Sequence, residues 1–341
     1  MSASRKSKRE LFELFERSLT TSGWSAIREN GSSTHPALYR LSDGGTATRV
    51  QVFIWNLTPG GRASIPDEWR VQVTGLLEPS GSQQFLPASG ARTLILGWWN
   101  EDDMFAAFDA SHHSAPLGKS PSLQIREGAL TRAATDGMAH YRRGPTEIAF
   151  AIRPDLLAIY VQFQSDLHEA ASSKQLLALI EEICADPASV SDDDISKGAP
   201  KKRQYAFASV RRAIRDASFR RRVLGAYKDR CAMCGLQLQL VEAAHIIPVG
   251  DPSSTDETSN GIALCSLHHR AYDRGLVTFD EGGAIRLSEA KAADLKALNI
   301  AGGMKAFKDG LRSSVRRPSA SRDRPSPANV EKANALRGWS N

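Results

Sequence analysis

The 341-residue chain contains no apolar run near the ~18 residues that would cross a bilayer. No export leader is expected from its opening residues either. The opening MSASRKSKRELFELFERSL passes from basic residues into an amphipathic helix, where a signal peptide would carry an apolar core. Together these absences predict a cytoplasmic protein with no membrane partner. Cysteine is scarce, with 4 residues in all, and without an export signal this argues against a disulfide scaffold. No internal repeat is present, so the chain is not read as an array. What is there is ordinary: 41% apolar and 24% charged, as in globular proteins, at a length that suggests two domains.

The net charge of +6 is unevenly placed. Residues 201–230 carry 11 Lys and Arg against 2 Asp, and residues 301–341 carry 9 against 3 acids, so the remainder is acidic. Such concentration is the footprint expected of a phosphate-binding surface. A solvated helix face or a basic tail gives the same pattern, and the last segment alone fits a tail best.

Along the chain, Leu11, Phe12, Phe15 and Leu19 fall on one face of a helix predicted over Lys6–Ser22. Strands are expected at Arg49–Asn56, Trp69–Gly75, Thr93–Trp99 and Met104–Asp109, with two more near Glu147–Ile152 and Leu156–Phe163. Helices are expected near Glu127–His140 and Ser173–Cys184. ADPASVSDDDISKGAP (185–200) is polar, contains proline and reads as a linker. The predicted class is α+β: a mixed N-terminal domain (1–168), a helix and linker (169–200), a second domain (201–300) and a mostly irregular basic tail (301–341).

The stretch 227–280 carries the chemistry. Cys231-x-x-Cys234 followed by Cys265-x-x-His268 has the spacing of a closed tetrahedral zinc site. Such a site would staple a small domain that has little core of its own. Cys184 stands apart in a helical stretch and reads as a buried small residue. Nested with the first pattern are His245, Asn260, His269 and Asp273. His269 and Asp273 are four apart and share a helix face, where an imidazole and a carboxylate can hold one divalent cation. His245 lies in AAHIIP, a strand-like run ended by Pro248, and is placed to act as a general base on water. A lone histidine on an apolar strand is more often a core residue, and its company changes that weighing.

These residues resemble the HNH endonuclease family, with its ββα-metal fold. The matching segments are Glu242-Ala243-Ala244-His245-Ile246-Ile247-Pro248, then Asn260-Gly261-Ile262-Ala263-Leu264, then His269-Arg270-Ala271-Tyr272-Asp273-Arg274-Gly275. The upstream FRRRVLGAY is similar to the lead-in helix of one branch. The resemblance covers about a quarter of the chain. It implies that His245 activates water and that Asn260 fixes the loop orienting it. It further implies that His269 and Asp273 bind Mg²⁺, or Mn²⁺ in its place, and that the substrate is double-stranded DNA. The expected architecture is then an N-terminal recognition domain followed by a zinc-stapled HNH nuclease domain. One position departs from the family pattern: Ala244 stands where many members carry a metal ligand. Glu242 shares its strand face with Ala244 and is a candidate substitute. The assignment of His268 to zinc and His269 to the catalytic metal also has its exchange as an alternative.

Arg211, Arg215, Arg220 and Arg222, with their neighbours, make the helix before the nuclease core cationic, which suits contacts to the DNA backbone. The N-terminal domain is expected to supply targeting, and dependence on a modified base is left open. Trp55, Trp69, Trp98 and Trp99 could stack on an extruded base, although core packing explains each more cheaply. Asp67, Glu68, Asp109 and Glu147 show no second nuclease motif, and His112-His113 reads as surface. The leading reading is a restriction-type endonuclease acting as a homodimer, since two strands of opposite polarity call for two centres. The competing readings are an inactive DNA-binding protein, which Ala244 keeps open, and a nuclease for branched or single-stranded nucleic acid.

Overall fold

The structure is a computed structural model and describes residues 4–31, 34–76, 84–118 and 120–339. The chain divides into two compact units, Met1–Ala217 and Ser218–Asn341. No helix among the described residues is long and apolar enough to cross a membrane.

The first unit opens with α1 (Lys8–Thr21), started by a capping box in which Ser7 and Glu10 satisfy each other's backbone N–H groups. Its strands are β1 (Ser25–Arg28), β2 (Ala37–Ser42), β3 (Ala47–Pro59), β4 (Glu68–Gln72), β5 (Arg92–Trp99), β6 (Met104–Phe108) and β7 (Ser122–Arg126). Helix α2 (Glu127–Asp136) follows, then β8 (Met138–Arg142) and β9 (Ile148–Ile152). They form a nine-stranded sheet ordered β1-β2-β3-β5-β6-β9-β8, with β4 pairing β3 and β7. The β3–β5 pair is parallel and the other pairs are antiparallel.

The two-residue period of the strands sends alternate side chains to opposite faces, and here both faces are covered. From β3, Val50, Val52 and Ile54 join one core, and Phe53, Trp55 and Leu57 join the other. From β5, Leu94, Leu96 and Trp98 point to the first core, while Ile95 and Trp99 point to the second. The first core takes in Leu11, Phe12, Phe15 and Leu19 of α1, with side chains of α3 (Leu157–Glu169) and α4 (Lys174–Ala185). The second core takes in Ala129, Leu130 and Ala133 of α2.

Three expectations change here. Leu156–Phe163 was expected as a strand and is the start of helix α3, because Leu157, Tyr160 and Val161 are buried at helical spacing. A short apolar run is ambiguous between the two periods, and the sheet already had its strands. The helix expected over Glu127–His140 ends at Asp136, where Gly137 takes φ 99°, and the chain continues as strand β8. Residues 185–200, expected as a linker, hold the capped helix α5 (Asp192–Gly198) and bury Val190, Ile195 and Ala199 in the first core. Few apolar residues were enough because each sits inward.

Helix α6 (Lys201–Ala226) contains the point where the units divide. Its Phe207, Val210 and Ile214 belong to the core of the first unit, and its Phe219 and Val223 to the core of the second. In the second unit, β10 (Val241–His245) and β11 (Gly261–Cys265) pair antiparallel, and α7 (Ser266–Asp273) follows directly. This is the ββα arrangement. A hairpin of β12 (Val277–Phe279) and β13 (Ile285–Leu287), then α8 (Glu289–Ala297), α9 (Met304–Asp309) and α10 (Pro327–Leu336), complete it. The segment from 301 onward was expected to be mostly irregular. It instead buries Val315, Val330 and Ala333 in the core of this unit.

Candidate active site and metal centre

The Cys231-x-x-Cys234 turn and the β11–α7 junction bring the sulfurs of Cys231, Cys234 and Cys265 to His268. All four ligand atoms lie within 4.8 Å of one another. His268 Nδ1 is 3.6 Å from Cys231 Sγ and 3.1 Å from Cys265 Sγ, and Cys234 Sγ is 4.0 Å from Cys265 Sγ. A tetrahedron built on Zn–S bonds of ~2.3 Å has edges of about 3.8 Å, so the donor set and its spacing fit zinc. The contact with Cys265 pulls the Cys231 thiol well below its ordinary range and pushes Cys265 up. Sulfurs crowded in this way are relieved by a cation. The expectation that His268 completes this set matches the placement, and His269 is directed elsewhere. Cys184, as expected, is buried in the other unit.

His245 ends β10 opposite Gly261. Its ring stacks on Phe219 of α6, with centroids 3.8 Å apart and planes 10° from parallel. Gly261 permits that packing. A Cβ there would lie 2.3 Å from Val223 Cγ2 and 3.0 Å from Phe219 Cζ. His245 Nε2 lies 3.1 Å from Asp256 Oδ1. A carboxylate on Nε2 holds the proton on that nitrogen and leaves the Nδ1 lone pair to accept one. The sequence reading did not include Asp256. It lies in the loop between β10 and β11, where no motif spacing singled it out.

Asn260 is fully buried and its side chain is spent on the same loop. Its Oδ1 accepts from the Ile247 N–H at 2.9 Å, and its Nδ2 donates to the Thr255 carbonyl at 2.8 Å. Its own carbonyl accepts from the Ile246 N–H at 2.8 Å. The loop that follows His245 is therefore tied to β11 through one residue.

His269, on α7, stands between two carboxylates. Nδ1 is 2.6 Å from Glu242 Oε2, and Nε2 is 3.4 Å from Asp273 Oδ2. Ser266 Oγ donates to the other Glu242 oxygen at 2.8 Å. Burial pushes the Glu242 carboxyl up, but the His269 and Ser266 hydrogen bonds and the charge of Arg220 hold it below its ordinary value. The strand parity that put Glu242 on the face of Ala244 was legible in the sequence. Its reach to His269 needed the structure.

The basic helix divides in two. Arg211 was expected to contact DNA. It is 12% exposed, with its guanidinium on the Val190 carbonyl at 2.5 Å and on Asp192 at 2.6 Å. That fork is occupied within the first unit, where it ties α6 to α5. Arg215 is half-buried and also has partners. Arg220 and Arg222 are exposed, with Arg222 donating to the Asp256 carbonyl at 2.7 Å.

In the first unit the acids are absorbed by structure. Asp67 pairs with Arg126 and Glu68 with Arg62. Asp109 caps a short 3₁₀ turn, and Glu147 pairs with Arg143. His113 was expected at the surface. It is 12% exposed and lies 2.9 Å from Glu147. Trp55, Trp98 and Trp99 are core residues, and Trp69 donates to Glu127 at 3.0 Å.

Residues 231–280 match a family model described as HNH endonuclease. Residues 48–161 match one described as MTaX1, methylase-associated X1. A solved structure described as a modification-dependent TagI restriction endonuclease is 13% identical, over 100% of this chain and 93% of that one, with a TM-score of 0.29. No curated protein matches the chain.

Proposed function

We propose, from the HNH endonuclease domain that makes this chain a phosphodiester hydrolase, that it is a restriction-type DNA endonuclease cutting with a divalent cation. One observation carries the reading. His245 braced by Asp256, the loop pinned by Asn260, and His269 between Glu242 and Asp273 all belong to one ββα element.

In this reading His245 takes a proton from water through Nδ1 as the water oxygen bonds to phosphorus. The P–O3′ bond breaks, and the 3′ oxygen leaves with the electron pair and is protonated by solvent. Asp256 holds the imidazole in the accepting tautomer and stabilises it once protonated. His269 and Asp273 would hold the cation. Glu242 on Nδ1 fixes the tautomer that leaves the His269 Nε2 lone pair facing Asp273, as second carboxylates do for ligating histidines. Mg²⁺ or Mn²⁺ bound there supplies positive charge to the scissile phosphate and the leaving oxygen. Glu242, on the strand face of Ala244, orients His269 without itself replacing the missing ligand, and that support favours an active centre over the inactive DNA-binding reading.

Exposed Arg220 and Arg222 contact the DNA backbone without reading sequence. The first unit supplies targeting, with the choice set by the modification state of the DNA. A family described as methylase-associated is the support for that step. The chain works on DNA as a homodimer. Light scattering on cognate duplex gives a two-chain mass if this is right, and a one-chain mass rejects it.

The test is cleavage of two plasmids of one sequence, one unmodified and one carrying methylated or hydroxymethylated cytosine. Each is incubated with Mg²⁺, Mn²⁺ or EDTA, beside a His245→Ala control of equal zinc content. Discrete fragments from only one plasmid support targeting by modification state and tell which state is cut. Equal fragments from both reject that step and keep a sequence-specific nuclease. Smearing of both removes the targeting role of the first unit. No cutting in any metal, with DNA binding retained, rejects the nuclease reading.

A further inference from the structure

We infer that Arg337, just after α10, is a positioning residue for His245, acting on the backbone from the side opposite Asn260. The inference rests on the nuclease reading above. Three polar atoms of the peptide groups that follow His245 are held by Asn260 and Arg337. The N–H groups of Ile246 and Ile247 go to Asn260, at 2.8 and 2.9 Å. The Ile246 carbonyl accepts from Arg337 Nη1 at 2.8 Å. The Ile246 carbonyl and the Ile247 N–H belong to one planar peptide unit, so Arg337 and Asn260 hold that plane from opposite edges, while the Ile246 N–H anchors the plane next to His245. The ring then has little freedom away from Phe219 and Asp256.

The guanidinium is placed for this task at a cost. It is 7% exposed, and a buried cation needs its donors used. Its Cζ lies 4.1 Å from the centroid of the Tyr272 ring, and Nη2 is 3.7 Å from Asp273 Oδ1. One rigid fork therefore touches the residue after the candidate base and the residue that would hold the cation. Lysine, with one ammonium, cannot reproduce both contacts.

The platform beneath Arg337 is tied down separately. The Ser326 N–H donates to the Ser259 carbonyl at 3.1 Å, next to Asn260. Lys332 reaches Asp251 at 2.9 Å and also Ser253, in the loop between His245 and Asn260. Asn334 Nδ2 donates to the Phe279 carbonyl at 3.0 Å. The segment that the sequence marked as a basic tail is thus fastened to the loop, to β12 and to the strand end that bears His245.

The test is a double-mutant cycle of Arg337→Met and His245→Ala, read by single-turnover cleavage in the full chain. Arg337→Met should slow cleavage roughly 10- to 100-fold while the Kd for duplex DNA and the Mn²⁺ affinity by EPR stay within about 2-fold. On the His245→Ala background the same change should cost less than about 3-fold, because its target is gone. Arg337→Lys should recover part of the rate. Equal costs on both backgrounds, a loss that lies in DNA or Mn²⁺ affinity, or no loss at all would overturn the inference. Zinc content and Tm show whether Arg337→Met folds, and if it does not, the cycle is run with Arg337→Lys on the same criteria. A readout independent of cleavage is the His245 imidazole ¹³C–¹H signal. It should move in Arg337→Met, or in Arg337→Lys where Met does not fold, and an unmoved signal overturns the positioning role whatever the assays give. Loss of the nuclease reading looks different: His245→Ala then costs nothing, or the unmutated chain does not cut.

Discussion

The two units treat the same residue types in opposite ways. In the first, histidines are consumed by the fold. His35 is half-buried and His168 buried, and desolvation depresses them to about 3 and about 4. His168 is fixed between the Tyr160 hydroxyl at 2.9 Å and the Ile148 carbonyl at 3.0 Å. His113 meets Glu147, which is itself paired with Arg143; in the second unit, His245, His268 and His269 face a carboxylate, a set of thiols, and a pair of carboxylates gathered around one ββα element. The difference follows from how each unit is held together. A sheet with a core on both faces can bury polar side chains among many apolar neighbours. A unit of short hairpins has less apolar surface to hide and relies on a metal staple and polar ties. A histidine count alone would have missed this contrast.

The largest effect that sharpens the comparison is metal removal. Apparent zinc binding energies for such sites run to about 10 kcal/mol or more, and at the Cys231, Cys234, Cys265 and His268 cluster that energy would be folding energy for the second unit alone. A zinc-free Cys231→Ser chain should lose protection from proteolysis after Ser218 while the first unit stays resistant. Metal analysis with limited proteolysis checks it, and an intact second unit without zinc breaks the comparison.

Next is the base. His245→Ala should reduce single-turnover cleavage by about 10²- to 10⁴-fold with Tm and zinc content nearly unchanged. A structural histidine would give the reverse, a fall in Tm with cleavage following it.

The first unit should answer to packing instead. Leu96 is fully buried in the sheet, and Leu96→Ala should cost about 2–5 kcal/mol in its unfolding, measured by denaturant titration, with zinc content unchanged. A loss of zinc in that variant would show that the units are not independent.

The smallest effect concerns the carboxylate that orients His269. Glu242→Gln should weaken Mn²⁺ binding by about 10- to 100-fold, read by EPR or calorimetry, and added metal should restore cleavage. No change in affinity would leave His269 and Asp273 without need of a second carboxylate and return Ala244 to an unexplained departure.

Much of the candidate site was legible because it is local. Cys231 and Cys234, Cys265 and His268, and His269 and Asp273 are short-range pairs whose spacing is set by a turn or by one helical turn. The alternation in RVQVFIWN and TLILGWW gave β3 and β5 for the same reason. Misread segments were those where local preference is balanced. Leu156–Phe163 carries an apolar run that suits either period, and burial on the sheet made it helical. The segment 185–200 is polar overall, yet Val190, Ile195 and Ala199 suffice to seat it.

The sequence by itself determined the ligand spacing, the order of the ββα element and the strands β3, β4, β5, β6 and β9 of the sheet, since each depends on neighbours within a few residues. Only the tertiary structure decided that Asp256 meets His245, that Glu242 reaches His269, that Arg211 is spent on Val190 and Asp192, and that Arg337 returns from the far end of the chain to the Ile246 carbonyl. Those contacts join residues that no fixed spacing relates. They exist because folding removes alternative partners, including water, and leaves each buried polar atom only those the packing brings within reach.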